Sequence, residues 1–186
     1  MGRRATASQT VGPFYRIGLE KLYVTDLAPL AADGDKISVH GRVVDGDGKP
    51  VDDAVLEIWQ ANAQGRYDHP DDAQDKPLTP GFKGFGRVPA DENGEFRFTT
   101  IKPGRVPGPG EAVQAPHLLI AVFMRGLLIH LFTRMYFPDD PANQADPVLK
   151  LVPAERRSTL IARKAGAGLE WDVTLQGGNE TVFFDY

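Results

Sequence analysis

The sequence predicts an all-β protein, a β-sandwich body over residues 36–186 behind an arm over residues 1–30, in a single domain over 1–186. Three observations carry this. Short segments alternate apolar and polar residues with a period of two, the signature of half-buried strands. Glycine and proline, at 20 and 15 residues, crowd the connections between those segments. The chain of 186 residues is long enough to bury one core.

The elements follow in order. "KISVHGRVV" sets Ile37 and Val39 against His40 and Arg42, and "DGDGKP" after it is a hairpin turn. "VDDAVLEIWQAN" reads as the second strand. In "GEFRFTTI", Phe96 and Phe98 alternate with Arg97. "HLLIAVF", "LLIHLFTRMYF", "EWDVTLQ" and "ETVFFDY" complete a set of seven. Residues 63–84 exceed the usual length of a loop, which marks them for function. One short surface helix is predicted in "VPAERRSTLIARK", with Pro153 in the first turn, Glu155 early, Arg163 and Lys164 late and Gly166 as the stop. The arm carries Val11, Phe14, Tyr15, Ile17, Leu19 and Leu22, too many apolar residues for a free tail, so it packs on the body or on a partner. Its Gly12-Pro13 step is a rigid turn with little side chain. Taken alone, that step is an ordinary surface turn.

Composition narrows the function. A net charge of -4 with no basic cluster argues against a nucleic-acid surface, and Arg3-Arg4 and Arg156-Arg157 read as solvated pairs. The absence of cysteine removes disulfides, thiolate metal sites and cysteine nucleophiles. No apolar run approaches the roughly 18 residues of a membrane span, and the longest ends at Arg125. The N-terminus lacks the apolar centre of a signal peptide, and arginines directly after Gly2 do not suit myristoylation. A soluble, cytoplasmic protein is the expectation. Neither a phosphate loop nor a nucleophile elbow is present.

The four histidines form no short-spaced metal pair. His40 falls on the polar face of its strand, and His69 in "RYDHPDD" on a solvated loop. His130 in "LLIHLF" reads as a core histidine with a hydrogen-bonded neighbour. His117 opens an apolar strand in "QAPHLLIAVF", and the next position on the same face holds Leu119 where a metal pair would need a second ligand. Asp71-Asp72 and Asp139-Asp140 are placed in water. Arg125 ends the His117 strand before Gly126, where a guanidinium can either fork onto a ligand carboxylate or pair with a nearby acid.

Four segments together, "GRVVDGDGKPVDDAVLEIWQANAQGRY", "DENGEFRFTTIKPG", "APHLLIAVFMRG" and "LFTRMYFPDDP", resemble the intradiol ring-cleavage dioxygenases. The first alone fits many prealbumin-like sandwiches, but all four in order are specific. "SQTVGPFY" and "ETVFFDY" extend the match to nearly the whole chain. The resemblance implies a prealbumin-like core and a non-haem Fe(III) held elsewhere in the family by two tyrosines and two histidines. Here those positions are Tyr67, Val106, His117 and Leu119, so the resemblance implies a vestigial site and no metal in this chain. An arginine expected three residues before the first histidine is Gln114, and a glutamine expected further on is Arg134. Thr10, Gly12, Pro13 and Arg125 match residues that line the substrate cavity in non-catalytic chains of the family. The implied partner is a homologous iron-bearing β subunit in a larger αβ oligomer, and the implied substrate is protocatechuate. Two other readings stay open: a stand-alone prealbumin-like binding module, and a self-sufficient dioxygenase that recruits His69 or Tyr136.

Overall fold

In the computed structural model, which describes residues 5–28 and 33–185, the period-two segments pair as two facing sheets. In chain order the strands are β1 (Lys36–Val44), β2 (Val55–Trp59), β3 (Phe85–Pro89), β4 (Glu95–Ile101), β5 (Val106–Pro107), β6 (Val113–Gln114), β7 (His117–Phe123), β8 (Leu131–Tyr136), β9 (Arg163–Ala165), β10 (Gly168–Glu170) and β11 (Val173–Thr174). β1 pairs antiparallel with β4 along one edge, and parallel with β10 and β11 along the other. The second sheet runs β3-β2-β7-β8, antiparallel throughout. β5 and β6 form a separate ribbon.

Alternation decides what lies between the sheets. Val39, Val43, Phe96 and Phe98 of the first sheet meet Leu56, Ile58, Leu118, Ile120, Val122 and Met135 of the second in one buried cluster. The other face of the second sheet is therefore set as well. It carries Glu57 and Trp59 of β2, Arg87 of β3, His117 and Leu119 of β7, and Arg134 and Tyr136 of β8. A smaller core of Ala115, Tyr136, Leu149, Val152 and Leu160 covers the end of this face nearest His117.

The arm packs on the body, as its apolar content required. Val24 bridges to Arg87 through paired backbone hydrogen bonds of 3.0 and 3.1 Å. Pro13 caps a single helical turn, α1 (Phe14–Ile17), so the Gly12-Pro13 turn leads into a short helical element. Phe14, Ile17 and Leu22 stay exposed. Arg3, Arg4, Leu30 and Tyr186 lie outside the described residues.

Three expectations need correction. The surface helix is a 3₁₀ segment over Ala154–Leu160, with Leu160 fully buried, and Arg163 and Lys164 belong to β9. Gly166, at a φ of 57°, is the hairpin turn between β9 and β10 and not a helix stop. Ladder bonds to β10 claim the residues that a longer helix would have used. "ETVFFDY" adds a bridge from Phe184 to Phe132 in place of a strand. His130 is exposed and stacked on Phe123, with ring centroids 5.1 Å apart, because it precedes β8 and does not enter the core.

Candidate functional site

β7 carries the two groups of residues singled out in the sequence, one at each end. His117 opens the strand. Arg125 lies eight residues on, roughly 26 Å away for an extended chain.

At the His117 end, a cavity of about 570 Å3 is lined in part by Trp59, Tyr67, His69, Val106 and Gln114. The long segment over 63–84 delivers Tyr67 and His69 to it, and no helix or strand forms there. Gly65 sets the approach: its φ is 80°, and a Cβ there would collide with the Arg105 carbonyl. Tyr67 stacks on Trp59 at 5.8 Å, and His69 meets Trp59 edge-on at 6.2 Å. His117 is buried, and its Nδ1 lies 2.8 Å from the Ala115 carbonyl. A carbonyl only accepts, so the ring is the neutral Nδ1–H tautomer with its lone pair on Nε2. This is the posture of a metal-binding histidine. Burial, aided by the positive charge of Arg134, pulls the His117 pKa down to about 4.

The remaining donors do not follow. Val106 is buried and Leu119 half-buried, and neither side chain can coordinate. Intradiol dioxygenases are iron-dependent, and ferric iron favours anionic oxygen with imidazole. Tyr67 and His117 alone supply one of each, so the four positions do not fit an iron centre. Among the described residues, no three His, Asp or Glu side chains gather as a metal site. Recruitment of Tyr136 is opposed by its surroundings. Its hydroxyl donates to Asp146 at 3.1 Å, and burial pushes its pKa up, away from the phenolate. His69 accepts from the Asp71 backbone through Nδ1 at 3.2 Å, with half of its side chain in solvent.

One link was invisible in the sequence. Gln114 and Arg134, which stand in the opposite order to the arginine and glutamine of the family pattern, bond to each other. Arg134 Nη1 donates to Gln114 Oε1 at 2.6 Å. The cation of the pair thus sits on β8.

At the Arg125 end, the four proposed substrate residues do come together. Gly12, Pro13, Asp52, Asp53 and Arg125 line a cavity of about 160 Å3. Thr10 Oγ1 accepts from the Gly126 amide at 2.8 Å and lies 3.4 Å from the Met124 carbonyl, pinning the arm to the turn beside Arg125. Arg125 makes the acid pair that the sequence left open. Asp53 takes its Nε edge in a close ion pair, while Asp52 lies 3.7 Å from Nη2. The guanidinium is 60% exposed, so Asp53 orients it without enclosing it. Two adjacent acids, Asp52-Asp53, stood in the β1–β2 connection and gave the only sequence signal for this contact.

Sequence reasoning missed a third cluster, Tyr15, Glu57 and Arg87, under the arm between these ends. Its signal was a charge in the middle of each of two apolar strands, "VLEIW" and "FGRVP". No helix among the described residues is long and apolar enough to cross a membrane.

Residues 23–177 match the dioxygenase family model. The chain is 44% identical to the protocatechuate 3,4-dioxygenase alpha chain of Burkholderia cepacia, over 98% of both chains. It is 40% identical to the beta chain from the same organism, over 80% of this chain and 67% of that one. Its structure resembles the dioxygenase domain of a carbohydrate-binding fusion protein from Streptomyces sp. SirexAA-E, with a TM-score of 0.62 and 27% identity over 86% of this chain and 89% of that one. Two sheets with this register, a histidine in ligand posture and similarity along nearly the whole chain have one common origin: the chain belongs to the intradiol ring-cleavage dioxygenase family.

Proposed function

We propose that this chain is the α-type subunit of a protocatechuate 3,4-dioxygenase, the wall of a substrate cavity completed by a homologous iron-bearing β-type chain in an αβ oligomer. The observation that carries this is the separation along β7. The residues suited to hold a carboxylated catechol lie at the end opposite the incomplete ligand set, so they serve a metal in another chain. The similarity to both alpha and beta chains supports such a pairing. The assembly works in the cytoplasm.

Iron in the partner supplies the chemistry by which molecular oxygen opens the ring between its hydroxyl-bearing carbons, giving 3-carboxy-cis,cis-muconate. This chain orients the substrate. Asp53 fixes the Nε edge of Arg125, and the Nη edge faces the substrate carboxylate as a charge-assisted donor. Gly12 and Pro13 bring backbone close to the ring, with little side chain to obstruct it. The contribution is one of position.

Iron content and protocatechuate-dependent oxygen uptake, measured for this chain alone and co-expressed with a β-type chain, test the reading. Iron and uptake are expected only in the mixture. Stoichiometric iron with uptake in the isolated chain would overturn it.

A further inference from the structure

The arm crosses a buried charge. Glu57 and Arg87 face each other across β2 and β3, on the sheet face turned away from the core. Side chains there are normally solvated, yet Arg87 is 5% exposed. Tyr15 covers it. The guanidinium lies 4.3 Å from the Tyr15 ring centroid. Its Nη2 donates to the Tyr15 carbonyl at 3.0 Å, and its Nη1 reaches the Tyr15 hydroxyl at 3.2 Å and Glu57 Oε1 in a close ion pair. The Tyr15 hydroxyl donates to the same carboxylate oxygen at 3.2 Å. The ring also rests on Phe123, the last residue of β7, at 4.9 Å.

Tyr15 is joined to the turn before it, since its amide donates to the Gly12 carbonyl at 3.0 Å. The Gly12-Pro13 turn is thus held from both sides, by Thr10 on Gly126 and by Tyr15 on Arg87. An apolar contact would permit several placements of the Tyr15 ring. A planar fork that meets a carbonyl, a hydroxyl and a ring face permits one.

We propose that Arg87, braced by Glu57, is a positioning residue for substrate binding: it fixes Tyr15, and through it the Thr10-Gly12-Pro13 wall opposite Arg125. This rests on the assignment of that wall to the substrate cavity. Arg87 touches no substrate itself.

The test uses the oligomer of this chain with a β-type chain. Removing one partner would strand a buried charge, so the principal variant replaces both, Arg87→Met with Glu57→Leu, which keeps volume and removes the polar brace. The expected result is a KM for protocatechuate raised about tenfold, with kcat within about twofold and the KM for unsubstituted catechol raised as well, because the wall meets the ring that both substrates share. Hydrogen exchange at the Gly126 and Tyr15 amides should quicken in the same variant. Arg87→Lys, which keeps the charge but not the fork, should fall between. An assembled double variant with unchanged KM and exchange overturns the inference, as does a loss confined to kcat. Should the double variant not assemble, Tyr15→Phe decides: it keeps the ring, and a KM equal to that of the unaltered protein overturns the inference. Arg125→Ala separates the two levels. If it leaves the protocatechuate KM untouched, the wall assignment fails; if it raises KM while the Arg87 variants do not, only the positioning role fails.

Discussion

The two ends of β7 are built from one continuous apolar strand, yet one buries its charged groups and the other exposes them. At the His117 end the polar groups are buried and mutually satisfied: the imidazole on Ala115, Arg134 on Gln114, Tyr136 on Asp146. At the Arg125 end the charges are exposed, and the arm leaves a small cavity beside them. A satisfied buried network holds a fold together, whereas an exposed cation with an oriented edge can still meet a ligand. An incomplete ligand set and an oriented cation are therefore separable within about eight residues of sequence.

The largest effect that could break this comparison lies at the buried end. His117 is held neutral by burial, with a pKa lowered from 6.5 to about 4. The unfolded chain binds this proton first, so the stability is fully present above pH 6.5 and is lost as pH falls toward 4. The span corresponds to about 3 kcal/mol. Urea unfolding between pH 7 and 4 should show that slope, and His117→Gln should flatten it. An unchanged slope would mean that the end is not closed to protons.

At the open end, Arg125→Ala should weaken protocatechuate binding to the αβ assembly about ten- to hundredfold, the range of a charge-assisted hydrogen bond. Unsubstituted catechol should bind as before. Isothermal titration under anaerobic conditions checks both, and equal losses would place Arg125 in structure alone. Asp52→Asn sharpens the contrast further. Removing the looser of two acids beside Arg125 should tighten protocatechuate binding about two- to threefold at low salt, and the gain should fade as salt rises.

What was legible in the sequence was what depends on local pattern. β7 was bounded correctly as "HLLIAVF" because an unbroken apolar run between Pro116 and the Arg125-Gly126 turn leaves little choice. The alternation of Phe96 and Phe98 set the inner face of β4 in the same way. The 3₁₀ segment misled because Pro153, Glu155 and Arg163 mimic helix ends, while the ladder that claims Arg163–Ala165 depends on β10. The proposed substrate residues could be named from motif alone, but the partner of Arg125 lies 72 residues away across the fold, as does Tyr15 from Arg87. Contacts of that separation leave no periodicity, only isolated charges in apolar strands.

The Gln114–Arg134 pair also bears on how this chain could change over time. An arginine at position 114 with Arg134 still in place would bring two cations to hydrogen-bond distance. A glutamine at position 134 with Gln114 still in place would take the positive charge from beside His117 before any metal donor had returned. Either single change at these two positions thus begins by disturbing a satisfied contact. The pair is easier to keep than to replace one residue at a time.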